Sequence, residues 1–203
     1  MPQNVVPGMI LPWTLSRHIL GHHRYSMGIC RPGQAVHEAL VDHMATRTRQ
    51  DIFQYQERFD EVHAAPYRWD VRAAAYLIAG VCSDDSFVDF RTGLRAQGRD
   101  CYQKAAASPD SLAAHPDVAS TVHRPLDNAL FYEEVNYAAS DAFERVSGDD
   151  HGLYDAWDRY SASRDQSDRS PADMGEDFDF DDAQQMRRRR PRPSALCLRN
   201  GSA

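Results

Sequence analysis

The sequence predicts an all-α protein: a single compact multi-helix domain with an irregular N-terminal segment and a partly disordered C-terminal tail. Three observations support this fold class. Apolar residues recur at the three- and four-residue spacing of a helix face over most of the chain. Capping residues, glycines and prolines separate these stretches in the order that helix starts and stops require. No alternation of apolar and polar residues is long enough to indicate a strand.

Changes in composition along the chain predict its organisation. We expect an irregular or divergent extension at residues 1–33, a helical core domain at 34–150, and at 151–203 an acidic loop, a short arginine-rich helix and a disordered tail. The chain of 203 residues is long enough to bury a sizeable core. Its formal net charge of -7 argues against a general nucleic-acid-binding protein, since such proteins are normally basic.

The cysteines and the start of the chain bear on its location. None of the four cysteines belongs to a C-x-x-C pair, and thiols spread in this way are typical of reduced, cytoplasmic proteins. The first residues lack the features of a signal peptide. No stretch approaches the roughly 20 apolar residues of a membrane span. We therefore expect a cytoplasmic protein without a membrane partner.

The N-terminal segment contains histidines that invite a metal interpretation. His18 and His22 are four residues apart and would share a helix face, with His23 beside them and Cys30 as a possible third ligand. No further ligand completes the set nearby. We interpret these side chains as surface histidines of a poorly ordered segment, and we predict neither a metal nor a cofactor.

Two amphipathic helices follow this segment. The first, Gln34–Thr46, carries apolar residues on one face. The second begins at Thr48 or Asp51 and has an apolar stripe that includes Ile52 and Phe59. We expect the two helices to form an antiparallel hairpin that packs on the central stretch of the chain.

The central stretch, Pro66–Tyr102, has the densest run of apolar and aromatic residues and predicts three helices. Gly80 ends the first helix because glycine accepts a left-handed backbone. Ser83 caps the second, whose first turn carries Asp84 and Asp85, where the helix dipole favours negative charge. A third, short helix completes the stretch.

The longest helix signal runs from Leu126 to Val146 and ends at Gly148. Residues 153–160 predict one or two amphipathic turns, and Ser161–Ser170 is polar enough to be a flexible loop.

The end of the chain predicts one more helix. A helix that begins near Asp181 would have carboxylates at its N-terminus and Arg187–Arg190 at its C-terminus, which suits the helix dipole. We expect Pro191 and Pro193 to end it. The apolar residues that should pack this segment back onto the core are Phe178, Phe180 and Met186.

Several strings of the central and closing stretches carry a resemblance to a known family. They are Tyr67-Arg68-Trp69-Asp70, Ala74–Ile78, Cys82–Phe87, Phe90-Arg91, Gln97–Arg99, Pro109–Leu112, Gly175–Asp182 and Met186–Arg189. With them the chain resembles the domain of unknown function 4240 family, whose members are bacterial and sometimes carry the domain beside a WGR domain. The resemblance implies a fold and not a reaction.

The resemblance extends roughly from Gln34 to Leu198, and the first 32 residues resemble nothing in the family. Arg190 and Pro193 stand where the resemblance leads us to expect leucine. Because Pro193 would break a helix that the family pattern continues, the docking of the last helix is the feature most affected.

Eight residues form the candidate ligand-binding set, and none is assigned a catalytic or metal-binding role. They are Arg68, Trp69, Asp70, Asp84, Asp85, Arg91, Arg99 and Glu134. Arg68, Trp69 and Asp70 could combine an aromatic platform with an anion-binding arginine and a carboxylate for a donor. The alternative is a buried tryptophan beside a helix-capping aspartate that pairs with the arginine.

Asp84 and Asp85 could bind Mg²⁺ or act as acid and base. Adjacent residues on a helix point about 100° apart, however, so they would not share a metal unaided. Their alternative role is to place charge at a helix N-terminus.

Arg91 and Arg99 could meet Asp70, Asp84 or Glu134 in one polar cluster. Such a cluster could be a structural ion network or an anion site, and the sequence leaves both open. Glu133 and Glu134 both lie in the predicted long helix, and we expect Arg91 to be the partner of whichever of the two faces the core.

Two further features could have a functional role, one as a nucleophile and one as a nucleic-acid contact. Cys82 precedes a helix N-terminus, which lowers a thiol pKa, but no histidine is placed by sequence to act as its base. The run Arg187–Arg192 could contact nucleic acid, although the nearby carboxylates cancel much of its field.

These observations predict a non-enzymatic interaction or ligand-binding helical module with an unknown protein or small-molecule partner. The alternative is a small hydrolase or modifying enzyme whose site consists of Asp70, Asp84, Asp85, Arg91 and Arg99. A third hypothesis, a nucleic-acid-associated accessory protein, draws support only from the WGR neighbours of the resembling family. Carboxylates and arginines that converge on one partly open pocket would favour a ligand-binding or catalytic role.

Overall fold

The structure is a computed structural model that describes residues 32–121, 129–149, 152–162 and 173–198. Within these ranges all regular structure is helical, which confirms the predicted fold class. None of these helices is both long and apolar enough to cross a membrane. His18, His22, His23 and Cys30 lie outside the described residues, as does most of the predicted loop at 161–170.

Ten α-helices and two 3₁₀ helices follow one another in the described part of the chain. They are α1 Pro32–Met44, α2 Arg49–Ala64, α3 Trp69–Ala79, α4 Asp84–Ala96, α5 Arg99–Ala107, the first 3₁₀ helix Pro109–Ala114, α6 Pro116–Thr121, the second 3₁₀ helix Glu133–Tyr137, α7 Ala138–Ser147, α8 Gly152–Ala162, α9 Ala183–Arg189 and α10 Pro191–Cys197. The amphipathic turns predicted at 153–160 therefore form one helix, α8.

The helix starts and stops of the first half follow the sequence signals. The Thr48 hydroxyl accepts a hydrogen bond from the Asp51 amide at 3.2 Å, and the Asp51 carboxylate accepts one from the Thr48 amide at 3.0 Å. This reciprocal capping box fixes the start of α2. Ser83 caps α4 by accepting from the Ser86 amide at 3.1 Å. Gly80 ends α3 with a φ of 79°.

The long helix predicted over Leu126–Val146 is wrong in its first half. The helix begins only at Ala138, after the second 3₁₀ helix. Leu130 has a φ of 69°, which a right-handed helix excludes. Its carbonyl oxygen lies only 1.7 Å from where a Cβ would stand on Gly93 of α4. The missing side chain at Gly93 lets the chain cross α4 closely, and that crossing replaces the helix.

A first apolar cluster joins α1, α2, α7 and α8. Ala138, Ala139 and Ala142 give α7 a face of small buried residues, so both α1 and α2 can approach it closely. The two helices pack mainly on α7 and contact each other little. The predicted α1–α2 hairpin is therefore not a packed pair, because α7 takes the place between its members.

The second cluster lies around α4, whose Phe87, Phe90 and Leu94 are fully buried. These three residues form the i, i+3, i+7 stripe of an amphipathic helix. In the first half of α4 the opposite face, with Asp85 and Asp89, is polar and open, whereas residues 91–96 are buried on all sides. Helix α4 thus supplies both a wall of the core and the surface on which a site can form.

The third cluster confirms the predicted return of the C-terminal segment. Met186 of α9 is fully buried against Ala73 and Leu77 of α3, and Phe178 and Phe180 pack against the same cluster. Residues near the end of the chain thus complete an apolar cluster that α3 begins.

The two prolines end α9 as expected but also begin another helix. Pro191 and Pro193 lie in the first turn of α10, where the missing N–H has no intrahelical partner to lose. Pro193 and Ser194 are buried, and α10 packs on α3 and on the first 3₁₀ helix. The last helix is therefore docked, despite the substitution of the expected leucine.

Candidate functional site

A cleft of about 750 Å³ opens between α2, α4 and the second 3₁₀ helix. Four of the side chains that line it are carboxylates: Asp60, Asp85, Asp89 and Glu133. Two more are tyrosines, Tyr67 and Tyr137. One arginine, Arg91, and one histidine, His63, complete its ionisable groups. The cleft is therefore strongly acidic and partly aromatic.

Helical spacing explains why these residues share one surface. Asp85, Val88 and Asp89 are spaced i, i+3, i+4 on the face of α4 that is turned away from the core. Residues 60, 63 and 64 repeat this spacing on α2, and residues 133, 136 and 137 repeat it on the second 3₁₀ helix. Each element thus presents one short polar stripe to the same space.

The carboxylates of the cleft experience different environments. Asp85 and Glu133 are exposed, whereas Asp89 is half-buried. Burial, and next the charge of Glu133, raises the pKa of Asp89 to about 6. A hydrogen bond donated by Asn136 Nδ2 to Asp89 Oδ1, at 3.0 Å, opposes this rise because it favours the charged form. Asp89 is thus held in place while its charge remains costly.

A chain of hydrogen bonds connects Asp89 with His63 across the floor of the cleft. Thr92 Oγ1 donates to Asn136 Oδ1 at 2.5 Å and lies 3.4 Å from His63 Nδ1. Burial, then the charges of Arg91 and Arg95, lowers the pKa of His63 to about 3. His63 is therefore neutral near pH 7, and it acts as a fixed part of the wall rather than as a cation.

Arg91 is the cation of the cleft, and it is only 7% exposed. Its Nη1 donates to the His63 carbonyl at 2.8 Å and its Nε to the Phe87 carbonyl at 3.4 Å. The guanidinium carbon lies 4.8 Å from the centre of the Tyr67 ring and 5.0 Å from that of Phe87. Burial lowers the pKa of Arg91 to about 10, so it stays protonated.

The orientation of Arg91 belongs to a larger contact between α4, α5 and the end of α2. Arg95 Nη1 donates to the Phe59 carbonyl at 2.9 Å, and the Tyr102 hydroxyl donates to the Val62 carbonyl at 2.7 Å. Together with Arg91, these donors satisfy carbonyls in the last turns of α2, where the helix dipole also favours cations. This contact fixes the angle between α2 and α4 and hence the shape of the cleft.

Two aromatic rings stand at the edge of the cleft. Tyr67 is 37% exposed and Tyr137 is 49% exposed, which is unusual for side chains of this size in the described structure. The face of an aromatic ring attracts a cation within about 6 Å, most strongly where water is excluded. Arg91 already lies 4.8 Å from the Tyr67 ring, so the cleft combines carboxylates with one ring, Tyr137, that is suited to a further positively charged group.

Of the eight candidate site residues, the structure brings only Asp85 and Arg91 into this cleft. Arg68 pairs with Asp70 through two hydrogen bonds of 2.9 and 2.8 Å. Asp70 is not the helix cap, since that position belongs to Arg68 itself.

Trp69 offers no open platform, because it is half-buried and packs edge-on against Phe180. Arg190 approaches Asp70 at 4.0 Å. This group therefore joins α3 to the C-terminal segment. Of the structural alternative, the pairing of Arg68 with Asp70 is present, whereas Asp70 does not cap the helix and Trp69 is only half-buried.

The other three candidates lie elsewhere. Asp84 turns away from Asp85 and pairs with Arg72 at 2.7 Å, and Arg99 is exposed at the start of α5. The expected pairing of Arg91 with Glu134 is not made. Glu134 instead lies against α1, where its backbone carbonyl is 2.8 Å from His37 Nδ1.

The cysteines of the described residues carry no sign of a nucleophile. Burial raises the pKa of Cys82, which overturns the expectation that its helix N-terminus would lower it. Burial likewise raises the pKa of Cys101 to about 11. Cys101 shares a pocket of about 230 Å³ with His115, but His115 Nδ1 accepts from the Asp117 amide at 3.2 Å and is not free as a base.

A metal centre is also absent from the part of the chain that the structure describes, where no three His, Cys, Asp or Glu side chains are arranged to hold an ion. The polar cleft residues, tyrosines included, that the candidate set missed are Asp60, His63, Tyr67, Asp89, Glu133, Asn136 and Tyr137. One signal was present: Asp85 and Asp89 are four residues apart on the polar face of a helix whose other face is apolar. Nothing in the sequence indicated which other elements would face that stripe.

Comparisons with known proteins identify a family and nothing closer. No curated protein and no solved structure matches the chain. A family model described as a protein of unknown function, DUF4240, matches residues 24–145. The match begins before Gln34, so the expectation that the first 32 residues resemble nothing in the family is wrong for residues 24–32. It includes α1 to α6 and nearly all of α7, and with them every residue of the cleft: the chain belongs to the DUF4240 family.

Proposed function

We propose that this protein is a ligand-binding module whose cleft takes a small organic cation, in the form of an ammonium or guanidinium group. One observation carries the proposal. Four carboxylates and two exposed tyrosines converge on a single cleft, while its one arginine is turned toward backbone carbonyls and aromatic rings. The cleft therefore has a net negative charge of the kind that attracts a cation.

The electrostatics of the cleft support a cation over other ligands. Asp85 and Glu133 have no ion-pair partner in the described part of the chain and attract cations from solvent. A bound cation near Asp89 would offset the repulsion from Glu133 that raises its pKa. A nucleic-acid backbone, by contrast, would bring phosphates toward four carboxylates.

A second candidate is an enzyme that uses Asp89 as a general acid or base. The observation in its favour is the pKa of about 6 that burial and Glu133 give to Asp89 in an open cleft, because proton transfer is most effective near the working pH. The hydrolase set that combines Asp70, Asp84 and Arg99 with Asp85 and Arg91 draws no such support, since those three lie outside the cleft.

The test is isothermal titration calorimetry of the purified protein with cadaverine, agmatine, tyramine and spermidine. Asp85→Asn removes a charge from the cleft, and Asp84→Asn removes one from the adjacent residue, which points to Arg72. We expect Asp85→Asn to weaken amine binding about threefold, the scale of one exposed charge pair. The Asp84→Asn protein should bind as the wild type does.

Two results would contradict the proposal. One is that none of the four amines binds at millimolar concentration. The other is that Asp84→Asn weakens binding as much as Asp85→Asn, since this would mean that net charge and not the cleft attracts the amines. Conversion of a bound amine to a product would favour the enzyme.

We also propose a cytoplasmic location, which the free thiols of Cys82, Cys101 and Cys197 support.

A further inference from the structure

We propose that the ligand of this cleft carries a carboxylate as well as a cationic group, and that Arg91 binds the carboxylate. The ligand class would then be a dipolar molecule of the size of a basic amino acid. This inference rests on the proposed function, because it names the second half of a ligand whose first half is the cation.

The first observation is that Arg91 has no counter-charge. It lines the cleft, it is only 7% exposed, and no carboxylate of the described chain lies within 4.0 Å of it. The half-buried arginines Arg72 and Arg68 do have a partner: Arg72 has Asp84 at 2.7 Å, and Arg68 has Asp70 at 2.8 Å. Arg95 is buried and also has no carboxylate of the described chain within 4.0 Å, but it does not line the cleft. A charge taken out of water without a partner is costly, and a ligand carboxylate would offset that cost.

The second observation concerns the donors that Arg91 has left. A guanidinium carries five N–H groups. Two contacts to carbonyls use Nε and Nη1, and Nη2 donates no hydrogen bond to the described chain. The planar guanidinium is held between its carbonyl contacts and the Tyr67 and Phe87 rings. It is thus oriented in advance, as carboxylate binding by arginine requires.

The third observation is the separation of charge within the cleft. The carboxylate of Asp89 is held by Asn136, and those of Asp85 and Glu133 are exposed. None of them pairs with Arg91, although all line the same cleft. The buried cation, Arg91, is therefore separate from the exposed carboxylates of Asp85 and Glu133, which form a negative rim. A ligand with a carboxylate at one end and an ammonium or guanidinium at the other matches this arrangement.

The volume allows such a ligand. About 750 Å³ falls within the range of small-molecule sites, roughly 300–1,000 Å³. An amino acid with a long cationic side chain would reach from Arg91 to the rim carboxylates and would pass the two tyrosines.

The experiment compares ligands that differ only in the carboxylate. L-arginine is titrated against agmatine, and L-lysine against cadaverine, into the wild-type protein by calorimetry. We expect each amino acid to bind about tenfold more tightly than its decarboxylated counterpart, since charge-assisted bonds to a buried arginine are strong. If the amines bind as tightly as the amino acids, this inference is overturned and the proposed function stands. If none of these four ligands binds, this inference is overturned, and the proposed function is overturned with it when tyramine and spermidine also fail to bind.

Two variants assign the preference to Arg91. Arg91→Lys keeps a positive charge but loses the planar fork, so the tenfold preference should fall to about twofold. Arg72→Lys is the matched control, because Arg72 is half-buried, also lies over the Phe87 ring and does not line the cleft. Circular dichroism confirms that each variant is folded. A preference that survives in Arg91→Lys, or that Arg72→Lys abolishes equally, would overturn the assignment.

Discussion

At the scale of a single residue, the charge of Asp89 in the cleft lowers the stability of the fold. Burial and the neighbouring Glu133 raise its pKa from 3.8 to about 6. A carboxyl group with a raised pKa binds its proton more tightly in the folded state than in the unfolded one. Its contribution to stability is therefore greatest below pH 3.8 and is lost as the pH rises through about 6.

We accordingly expect Asp89→Asn to raise the free energy of unfolding at pH 7.5 by about 1 kcal/mol. At pH 3.5 the two proteins should be nearly equally stable, because Asp89 is then neutral in the folded state and mostly neutral in the unfolded state. The asparagine can still accept the hydrogen bond from Asn136. The neighbouring residues are the same in both proteins, so their contributions largely cancel in the comparison. Urea denaturation at the two pH values measures the difference, and an equal effect at both would refute the assignment.

The sequence predicts single residues well where the cause is local. Thr48, Ser83 and Gly80 act as expected because a cap depends only on its own few neighbours. The pKa of Cys82 does not follow its local signal, because the burial that raises it comes from residues distant in the chain. Asp84 and Asp85 are both helix N-terminal charges, as predicted. Their different directions depend on Arg72 and on the cleft, which the sequence does not place.

At the scale of elements, the crossing of residues 129–132 over α4 decides where the second 3₁₀ helix lies. The Leu130 carbonyl occupies the space that a Cβ on Gly93 would need. This crossing brings Glu133, Asn136 and Tyr137 to the cleft, so Gly93 contributes to the site without lining it.

Gly93→Ala should therefore lower the free energy of unfolding by about 3 kcal/mol, the upper range for overpacking. Gly80→Ala is the control, because its added Cβ meets no atom within 4 Å and only the φ of 79° opposes it. That strain costs about 1 kcal/mol. Urea denaturation of both variants gives the comparison. A Gly93→Ala protein no less stable than Gly80→Ala would mean that the crossing can shift at little cost.

The sequence predicts most elements because apolar spacing and caps recur within each of them. The helix over Leu126–Val146 fails because its apolar spacing is real but a tertiary contact overrides it. The predicted α1–α2 hairpin is wrong for a similar reason. The small residues of α7 let both helices pack on α7 instead of on each other. In each case the missing information lies in a partner that is far along the chain.

At the scale of the whole molecule, the C-terminal segment completes the core. Met186 is fully buried on Ala73 and Leu77, more than a hundred residues earlier in the chain. The sequence did predict this return, because apolar residues in an acidic segment need cover. The cleft could be predicted only in part, since its carboxylates come from three elements whose arrangement no local pattern shows.

Met186→Ala should lower the free energy of unfolding by about 2–4 kcal/mol, because a fully buried side chain leaves a cavity. Gln184→Ala, at an exposed position of the same helix, should change it by less than about 0.5 kcal/mol. Thermal and urea unfolding measure both. If Met186→Ala is as mild as Gln184→Ala, the C-terminal segment does not contribute to the stability of the core.

The docking of this segment also sets an order of events during synthesis. A ribosome adds about 5–20 residues per second, so Ala73 and Leu77 are made roughly 5–20 s before Met186 can cover them. Throughout that interval the nascent chain presents an apolar helix face that no earlier residue hides. A chain whose translation stops before residue 173 keeps this face, which is the kind of surface that chaperones and proteases recognise in unfinished proteins.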